Sequence, residues 1–584
     1  MTIQDTTLTN KRHSLAHVLA MAVLRKYPEA HLTLGPAIDT GFYYDIDFGD
    51  TKPSEEDLKE LTKAMQKIVR KGGIFAHKVV SKDEALAHFE KNKYKIELIT
   101  EIHAKGEQIT LYTTDWFTDL CRGGHVEDLK DIDSESFKLE KIAGAYWRGD
   151  EKNPMLTRIY GLAFNTKTEL DAYILQQEEA KKRDHRKLGK ELGLFIFSEL
   201  VGAGLPLWTP KGTIIREELQ DFVWELRKKR GYGKVVIPHI TKQPLYEKSG
   251  HWAKYGDDLF KIQTRDGHVF AMKPMNCPHH TQIFDSEPRS YRDMPQRYAE
   301  STMVYRDEQT GELSGLSRVI SITQDDAHVF CRVSQIEDEV KSIWEIIQIF
   351  YSKFGFILTP RLSRRDPADV SNYLGSDENW KLAEEQLKQV IVNNYGENFI
   401  DGLGEAAFYG PKIDFMASDA IGRKHQIATI QLDFVQPERF GLVCTNEKGE
   451  KEPVVMIHCA IMGSFERFLS IAIEHFAGAF PTWLSPIQVR LVPIGERQAA
   501  FAQEVYTALK EADVRVELDD SNDSFGKRIR NAKTNKVPYI IVLGDKEIES
   551  NTLTIEKRDG SKFENVSTDA FVQQIITEIK NRSL

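Results

Sequence analysis

The sequence predicts a multidomain protein that combines α+β and α/β architecture, and three observations carry that expectation. The chain has 584 residues, far beyond the size of a single hydrophobic core. Residues 301–330 read as a long-looped antiparallel hairpin. One strand-like run ends at Val304 and Tyr305, another covers Val319–Val329, and DEQTGELSGLS, with Gly311 and Gly315, lies between them. From about residue 486 strand and helix alternate, which predicts a small α/β domain on a mostly parallel sheet.

Composition narrows the class. Hydrophobic residues make up 41% and charged residues 28%, an ordinary globular balance. The charge is 78 − 88 = −10, so no global field attracts nucleic acid and a polyanionic partner needs local basic patches. No run of eighteen apolar residues occurs, and MTIQDTTLTNKRH lacks the apolar core of a signal peptide. The five cysteines, at 121, 277, 331, 444 and 459, are scattered, unlike a disulfide framework. A reducing cytoplasm is expected, with no membrane and no DNA partner.

Taken in order, HSLAHVLAMAVLRKY has helical periodicity with His13 and His17 on one face. TDLCRGGHVEDL places Cys121 and His125 four apart, just after Asp119. By spacing alone this is either a four-ligand zinc site or two buried histidines beside an unrelated thiol. Residues 165–192 read as one long charged helix linking two domains. Within it KKRDHRKLGK holds six Lys or Arg against one Asp, a solvated face or an RNA-backbone contact.

GTIIREELQDFVWELRKKRGYGKVVIPHI predicts an amphipathic helix and then a strand ended by Pro238, and Cys277 sits between Asn276 and Pro278 in a loop-like setting. On the returning hairpin strand Gln324, Asp326 and His328 share a face, which is either solvated or lined by something polar. Arg306, where the first strand meets the loop, presents a planar fork suited to a carboxylate or phosphate. IEDEVKSIWEIIQIFYSKFGF and SDENWKLAEEQLKQVIVNN are helical, AAFYGPKIDFMASDA and RKHQIATIQLDF alternate as antiparallel strands, and a strand–helix unit carries Arg467. No GxxxxGK[ST] loop is present, so ATP use does not follow from a phosphate-cradling glycine loop. In the C-terminal domain FGKRIRNAKTNK supplies Lys527, Arg528, Arg530, Lys533 and Lys536 as a local basic patch.

MNCP, TQDDAH, AFYGPKID and VMIH…GSFERF, together with Arg306–Asp307–Glu308, resemble the motifs of the threonyl-tRNA synthetases, a family of class II aminoacyl-tRNA synthetases. The likeness runs from His13 to the C-terminal domain. It implies an editing domain with its linker helix at 1–183, an antiparallel-sheet class II catalytic core at 184–485 and an α/β anticodon-binding domain at 486–584. The family's small N-terminal ubiquitin-like domain is expected to be missing, since about a dozen residues precede His13.

The resemblance also implies the chemistry. L-threonine is joined to tRNA(Thr) through threonyl-adenylate, with ATP and Mg2+, by a homodimer whose interface is the 212–240 segment. Cys277, His328 and His458 would hold one catalytic zinc, leaving a position open for the substrate. Asp326 would take the threonine hydroxyl, Gln324 and Tyr409 the amino group, and Gln426 and Gln431 the ribose or substrate. Arg306 and Lys412 would act on the carboxylate and α-phosphate, Glu308 on adenine, and Arg318 and Arg467 on the distal phosphates. His13, His17, Tyr44, Lys95, Asp119, Cys121 and His125 would line a metal-free editing pocket that hydrolyses seryl-tRNA, a pocket needed because serine differs from threonine only by a methyl. Glu549 and Lys557 would meet anticodon bases.

Some positions depart from the family's pattern. Ile320 and Cys459 stand where arginine is frequent, Ile427 where a small thiol or polar residue is usual, Gly124 where proline is usual and Lys557 where arginine is common. Rival readings are a silent tRNA-binding relative, a class II enzyme for proline or serine, and a metallohydrolase built on His13 and His17, which lacks the HExxH glutamate.

Overall fold

The computed structural model describes residues 3–51 and 53–584, and only the backbone of residues 3–6 and of Thr310. It divides into two compact units, Met1–Glu178 and Glu179–Leu584.

In the first unit, helix α1 (Ile3–Lys26) buries Leu15, Ala16, Leu19 and Val23 against helix α2 (Glu55–Lys71) and an antiparallel sheet whose longer strands are Gly41–Asp47, Phe137–Tyr146 and Met155–Ala163. His13 and His17 share the flank of α1 that faces a smaller sheet of Ala76–Val80, Ile109–Thr114 and Phe117–Leu120. Helix α3 (Lys93–Ala104) begins at Asn92, whose side chain accepts the amides of Tyr94 and Lys95, and so fixes where Lys95 enters the core.

The expected long helix over 165–192 is two helices, Lys167–Arg183 and His185–Glu191. Asp184 interrupts it, because its carboxylate caps the Arg186 amide at 2.8 Å.

The second unit is built on an eight-stranded sheet. Its order is Gly233–Lys234, β1 (Gln296–Tyr305), β2 (Ser321–Cys331), β5 (Val455–Ser464), β4 (Lys424–Asp433), β3 (Lys412–Ser418), Ile357–Arg364 and Ile400–Leu403. All pairings are antiparallel except the outermost pair on each side. The hairpin is therefore β1–β2, as the 301–330 pattern predicts. Regular pairing before Pro238 covers only Gly233–Lys234.

Helices Pro210–Lys228, Ile336–Ser352 and Phe465–His475 cover one face of this sheet with the largest core of the chain. Alternation along β2 sends Asp325, Ala327 and Val329 to that face and Gln324, Asp326 and His328 to the other. Asp325 is fully buried, yet it is matched. Its carboxylate accepts the Ile461 and Met462 amides at 2.8 and 3.0 Å, where β5 bulges out of register, and Arg227 lies 3.4 Å away. Burial raises this carboxyl to about 6.

The C-terminal sheet has the order Val516–Leu518, Val489–Pro493, Tyr539–Leu543, Leu553–Lys557, Lys562–Val566, with two parallel and then two antiparallel pairings. It is mixed, not mostly parallel, because Asp559–Gly560 turns the last two strands into a hairpin, with Gly560 at φ 89°.

Candidate functional site

Side chains singled out in the sequence gather into one cluster in each unit. In the first unit all seven residues singled out in the sequence converge. Tyr44 Oη donates to Asp119 Oδ2 at 2.5 Å, Lys95 Nζ lies 2.5 Å from Asp119 Oδ1, and His17 Nδ1 is 3.7 Å from the same carboxylate. Cys121 Sγ stands 3.5 Å from His13 Nε2 and 3.3 Å from His125 Nε2. Ser14, missed in the sequence, meets His125 Nδ1 at 3.2 Å. His13, His17, Tyr44, Lys95, Asp119 and Cys121 line a cavity of about 390 Å³.

Burial lowers the pKa of His13, pushes His17 well below its ordinary value and brings His125 to about 2, so the imidazoles are neutral bases at pH 7. Burial also lifts the Cys121 thiol to about 11 and keeps Tyr44 protonated. One donor atom from each of His13, His17, Cys121 and His125 lies within 4.8 Å of the others. The chemistry on offer is a neutral base beside a buried ion pair, suited to activating water against an ester.

In the second unit Cys277, His328 and His458 bring their donor atoms within 4.8 Å, all three buried. The sheet register does this: His328 is directly opposite His458 on β5, which is opposite Gln431 on β4. Cys277 is not in a loop; it is the first residue of the helix Cys277–Asp285, with Pro278 in the first turn, where its missing amide costs nothing.

His328 Nε2 and His458 Nδ1 face each other at 3.0 Å. His458 Nε2 is 2.9 Å from Asp433 Oδ2, and a carboxylate only accepts, so His458 turns the lone pair of Nδ1 inward. Burial holds His328 well below its usual pKa. A soft thiol and two imidazoles, one backed by a carboxylate, form the donor set that suits zinc. Asp433 lies two residues after Gln431, and period-two spacing along β4 was the signal that could have found it.

Around the cluster, Tyr409 stacks on the His458 ring at 4.9 Å and donates to Gln431 Oε1 at 2.6 Å. A Cβ on Gly410 would lie 1.9 Å from the Leu432 carbonyl oxygen, so only glycine lets this segment lie so close to β4. Asp326 accepts from Asn276 Nδ2 at 3.0 Å.

Beside it a cavity of about 420 Å³ is lined by Arg306, Glu308, Arg318, Gln324, Gln426 and Arg467 among others. Arg306 Nε is buried without a hydrogen-bond partner. Arg318 is paired with Glu308 and Glu312 at 2.7 and 2.8 Å. Lys412 lies 3.0 Å from the fully buried Asp414. Asp414 also accepts from Arg361, Ser363, Gln426 and Thr429. This carboxylate, unread in the sequence, anchors both Lys412 and Gln426.

In the C-terminal domain Glu549 is exposed, and Lys557 Nζ sits 5.5 and 5.4 Å from the Tyr539 and Phe563 ring centroids. The expected basic patch is thinner than its sequence. Arg528 is buried and donates to the Asp519 carbonyl at 3.0 Å, while Lys533 is paired with Glu556 at 2.6 Å.

Comparison with known proteins identifies three domains and their relatives. Residues 260–476 match the model of the tRNA synthetase class II core domain (G, H, P, S and T), residues 488–578 the anticodon binding domain, and residues 109–160 the threonyl and alanyl tRNA synthetase second additional domain. The threonine–tRNA ligase of Cytophaga hutchinsonii is 45% identical over 97% of this chain and 88% of its own. That of Rubrobacter xylanophilus is 45% identical over 98% and 89%. The crystal structure of the RNA binding domain of threonyl-tRNA synthetase from Cryptosporidium parvum superposes with a TM-score of 0.64 at 35% identity, covering 68% of this chain and 98% of that one. The chain belongs to the threonine–tRNA ligase family of class II aminoacyl-tRNA synthetases.

Proposed function

We propose that this chain selects threonine at the Cys277–His328–His458 cluster, activates it with ATP in the adjoining arginine-lined cavity, transfers it to tRNA(Thr), and hydrolyses seryl-tRNA in the pocket of its first unit. The observation that carries the reading is the shared wall of cluster and cavity. Gln324, Asp326 and His328 follow one another along one face of β2, from the cavity to the cluster.

Cys277, His328 and His458 would hold a zinc ion, which would supply an electrophile for the amino and hydroxyl groups of threonine. The chain's own residues do the rest. Asp326 accepts the hydroxyl proton, and its bond from Asn276 fixes its orientation. Gln324 and Tyr409 hold the amino group, and Gln431 aims the Tyr409 hydroxyl. Valine offers no hydroxyl, so these polar groups would be left unpaired, whereas serine lacks only a methyl worth about 1–3 kcal/mol. The editing pocket answers that second problem.

Arg306 bridges the threonine carboxylate and the α-phosphate, and its unpartnered Nε supports that role. ATP, with its magnesium, exchanges the Arg318–Glu308 pair for contacts of its own, phosphate to Arg318 and Arg467, adenine to Glu308. Lys412, steadied by Asp414, adds positive charge where it is needed in the transition state. Gln426 reaches the ribose or substrate. In the editing pocket a neutral histidine takes a proton from water, and the Lys95–Asp119–Tyr44 group orients the ester, without a metal. Glu549 and Lys557 meet the anticodon.

The domains are 1–183, 184–485 and 486–584, and the enzyme is a cytoplasmic homodimer. The exposed apolar side chains Ile196, Phe197, Leu200 and Val201, close in sequence to the Pro210–Lys228 helix, support the dimer. Among the described residues no helix is long and apolar enough to cross a membrane. The test is ATP–pyrophosphate exchange with each amino acid, with and without chelator. Threonine-dependent, chelator-sensitive exchange is expected; exchange indifferent to threonine overturns the reading.

A further inference from the structure

We propose that Glu300, acting through His280, is a positioning residue that decides which nitrogen of His328 keeps its lone pair for the metal. The inference rests on the zinc reading above. Each donor of the cluster has a buried polar group behind it. Gln436 Nε2 donates to the Cys277 sulfur at 3.5 Å, and Asp433 stands behind His458 at 2.9 Å. The partner of His328 is of another kind: its Nδ1 meets Nδ1 of a second imidazole, His280, at 2.7 Å. A carboxylate dictates where the proton sits, but two imidazoles facing each other do not, since either ring can donate.

Glu300 supplies the missing instruction. It lies on β1 directly opposite Asp326. Its Oε1 accepts the Ile237 amide at 3.1 Å, and its Oε2 faces His280 Nε2 at 4.0 Å. Both facing atoms are buried and have no hydrogen-bond partner; Glu300 is 6% exposed and His280 fully buried. A carboxylate beside a ring nitrogen favours the proton on that nitrogen. With its proton on Nε2, His280 can only accept at Nδ1. His328 must then donate from Nδ1, and its Nε2 keeps a lone pair turned toward that of His458.

Two lone pairs 3.0 Å apart repel unless a cation joins them, so this tautomer prepares a metal site. In the reversed relay His280 donates to His328, which donates from Nε2 to His458, and no lone pair on His328 remains for a metal. That arrangement turns the His280 Nε2 lone pair against the Glu300 carboxylate. Glu300 therefore selects the first arrangement.

The test uses the full chain, stripped with chelator and titrated with Co2+. Glu300→Gln keeps the size and the acceptor for Ile237 but turns an NH2 toward His280, which favours the reversed relay. Its Co2+ affinity should fall about tenfold or more, with weaker visible absorption, and KM for threonine should rise while KM for ATP stays. His280→Asn puts an amide oxygen where His328 Nδ1 donates. In that background Glu300→Gln should have no further effect, because residue 300 has no ring left to instruct.

Unchanged Co2+ affinity and spectrum in folded Glu300→Gln overturn the proposal. So does an equal defect in the His280→Asn background, which would show that Glu300 acts without the His280 ring. A wild type that takes up no Co2+, or a Cys277→Ser variant that binds it as tightly, sinks the zinc reading itself, and the proposal with it.

Discussion

Lys95 Nζ lies 2.5 Å from Asp119 Oδ1, and each side chain is only 2% exposed. A buried pair of this kind is unforgiving toward loss of one partner. Lys95→Met should destabilise the first unit by about 3–5 kcal/mol, since Asp119 is left as an uncompensated buried charge. Thermal melting followed by proteolysis checks the stability, and seryl-tRNA hydrolysis should vanish while threonine-dependent exchange persists.

The same pocket makes the first unit sensitive to acid. His13, His17 and His125 have folded pKa values below 6.5, so the unfolded chain binds protons that the fold refuses. Stability from His17 and His125 is full well above pH 6.5 and is lost as pH falls below it, by about 1.4 kcal/mol per histidine for each pH unit, and His13 contributes in the same direction. Hydrogen exchange in α1 between pH 7 and 5 should accelerate accordingly; an exchange rate indifferent to pH, once corrected for intrinsic chemistry, contradicts it.

Cys277→Ser should abolish threonine-dependent ATP–pyrophosphate exchange, and chelator should do the same to the wild type. Exchange surviving both would remove the cluster from threonine selection.

Amino-acid discrimination should be lopsided. Serine should be activated about 10–200-fold less efficiently than threonine, and valine about 10⁴-fold less, because only valine leaves buried polar groups unmet. Steady-state kcat/KM for the three amino acids measures both ratios.

Arg306→Ala should lower the activation rate by about 10²–10³, seen in single-turnover adenylate formation. Asp414→Asn, which touches no substrate, should reproduce part of that loss by loosening Lys412 and Gln426, at a cost in stability.

Much of this was legible in the sequence for a physical reason. Residues spaced by two on a strand or four on a helix share a face, so Gln324, Asp326 and His328, or His13 and His17, could be grouped before any fold was known. Asp433 and Asp414 stand two residues after Gln431 and Lys412 on their strands, a spacing that went unread. Their other partners (His458 for Asp433; Arg361, Ser363, Gln426 and Thr429 for Asp414) and the His280 that faces Glu300 come from elements that only the fold brings together. Cys277 was misread because proline marks both turns and first helical turns. The mixed C-terminal sheet could have been foreseen from Asp559–Gly560, a hairpin signal between alternating runs. Asp184 divides the linker helix through a cap that charge counting cannot detect.

The two faces of Ser321–Cys331 differ in kind, since Ala327, Val329 and Cys331 lock into hydrophobic packing while Gln324, Asp326 and His328 face the proposed substrate site. Adding or deleting one residue inside that strand would swap the assignments, driving His328 into oil and Ala327 into the proposed substrate site. The preceding loop from Arg306 to Ile320 carries no such parity. Natural length variation can therefore collect in the loop, while the eleven residues after it are held to a fixed count.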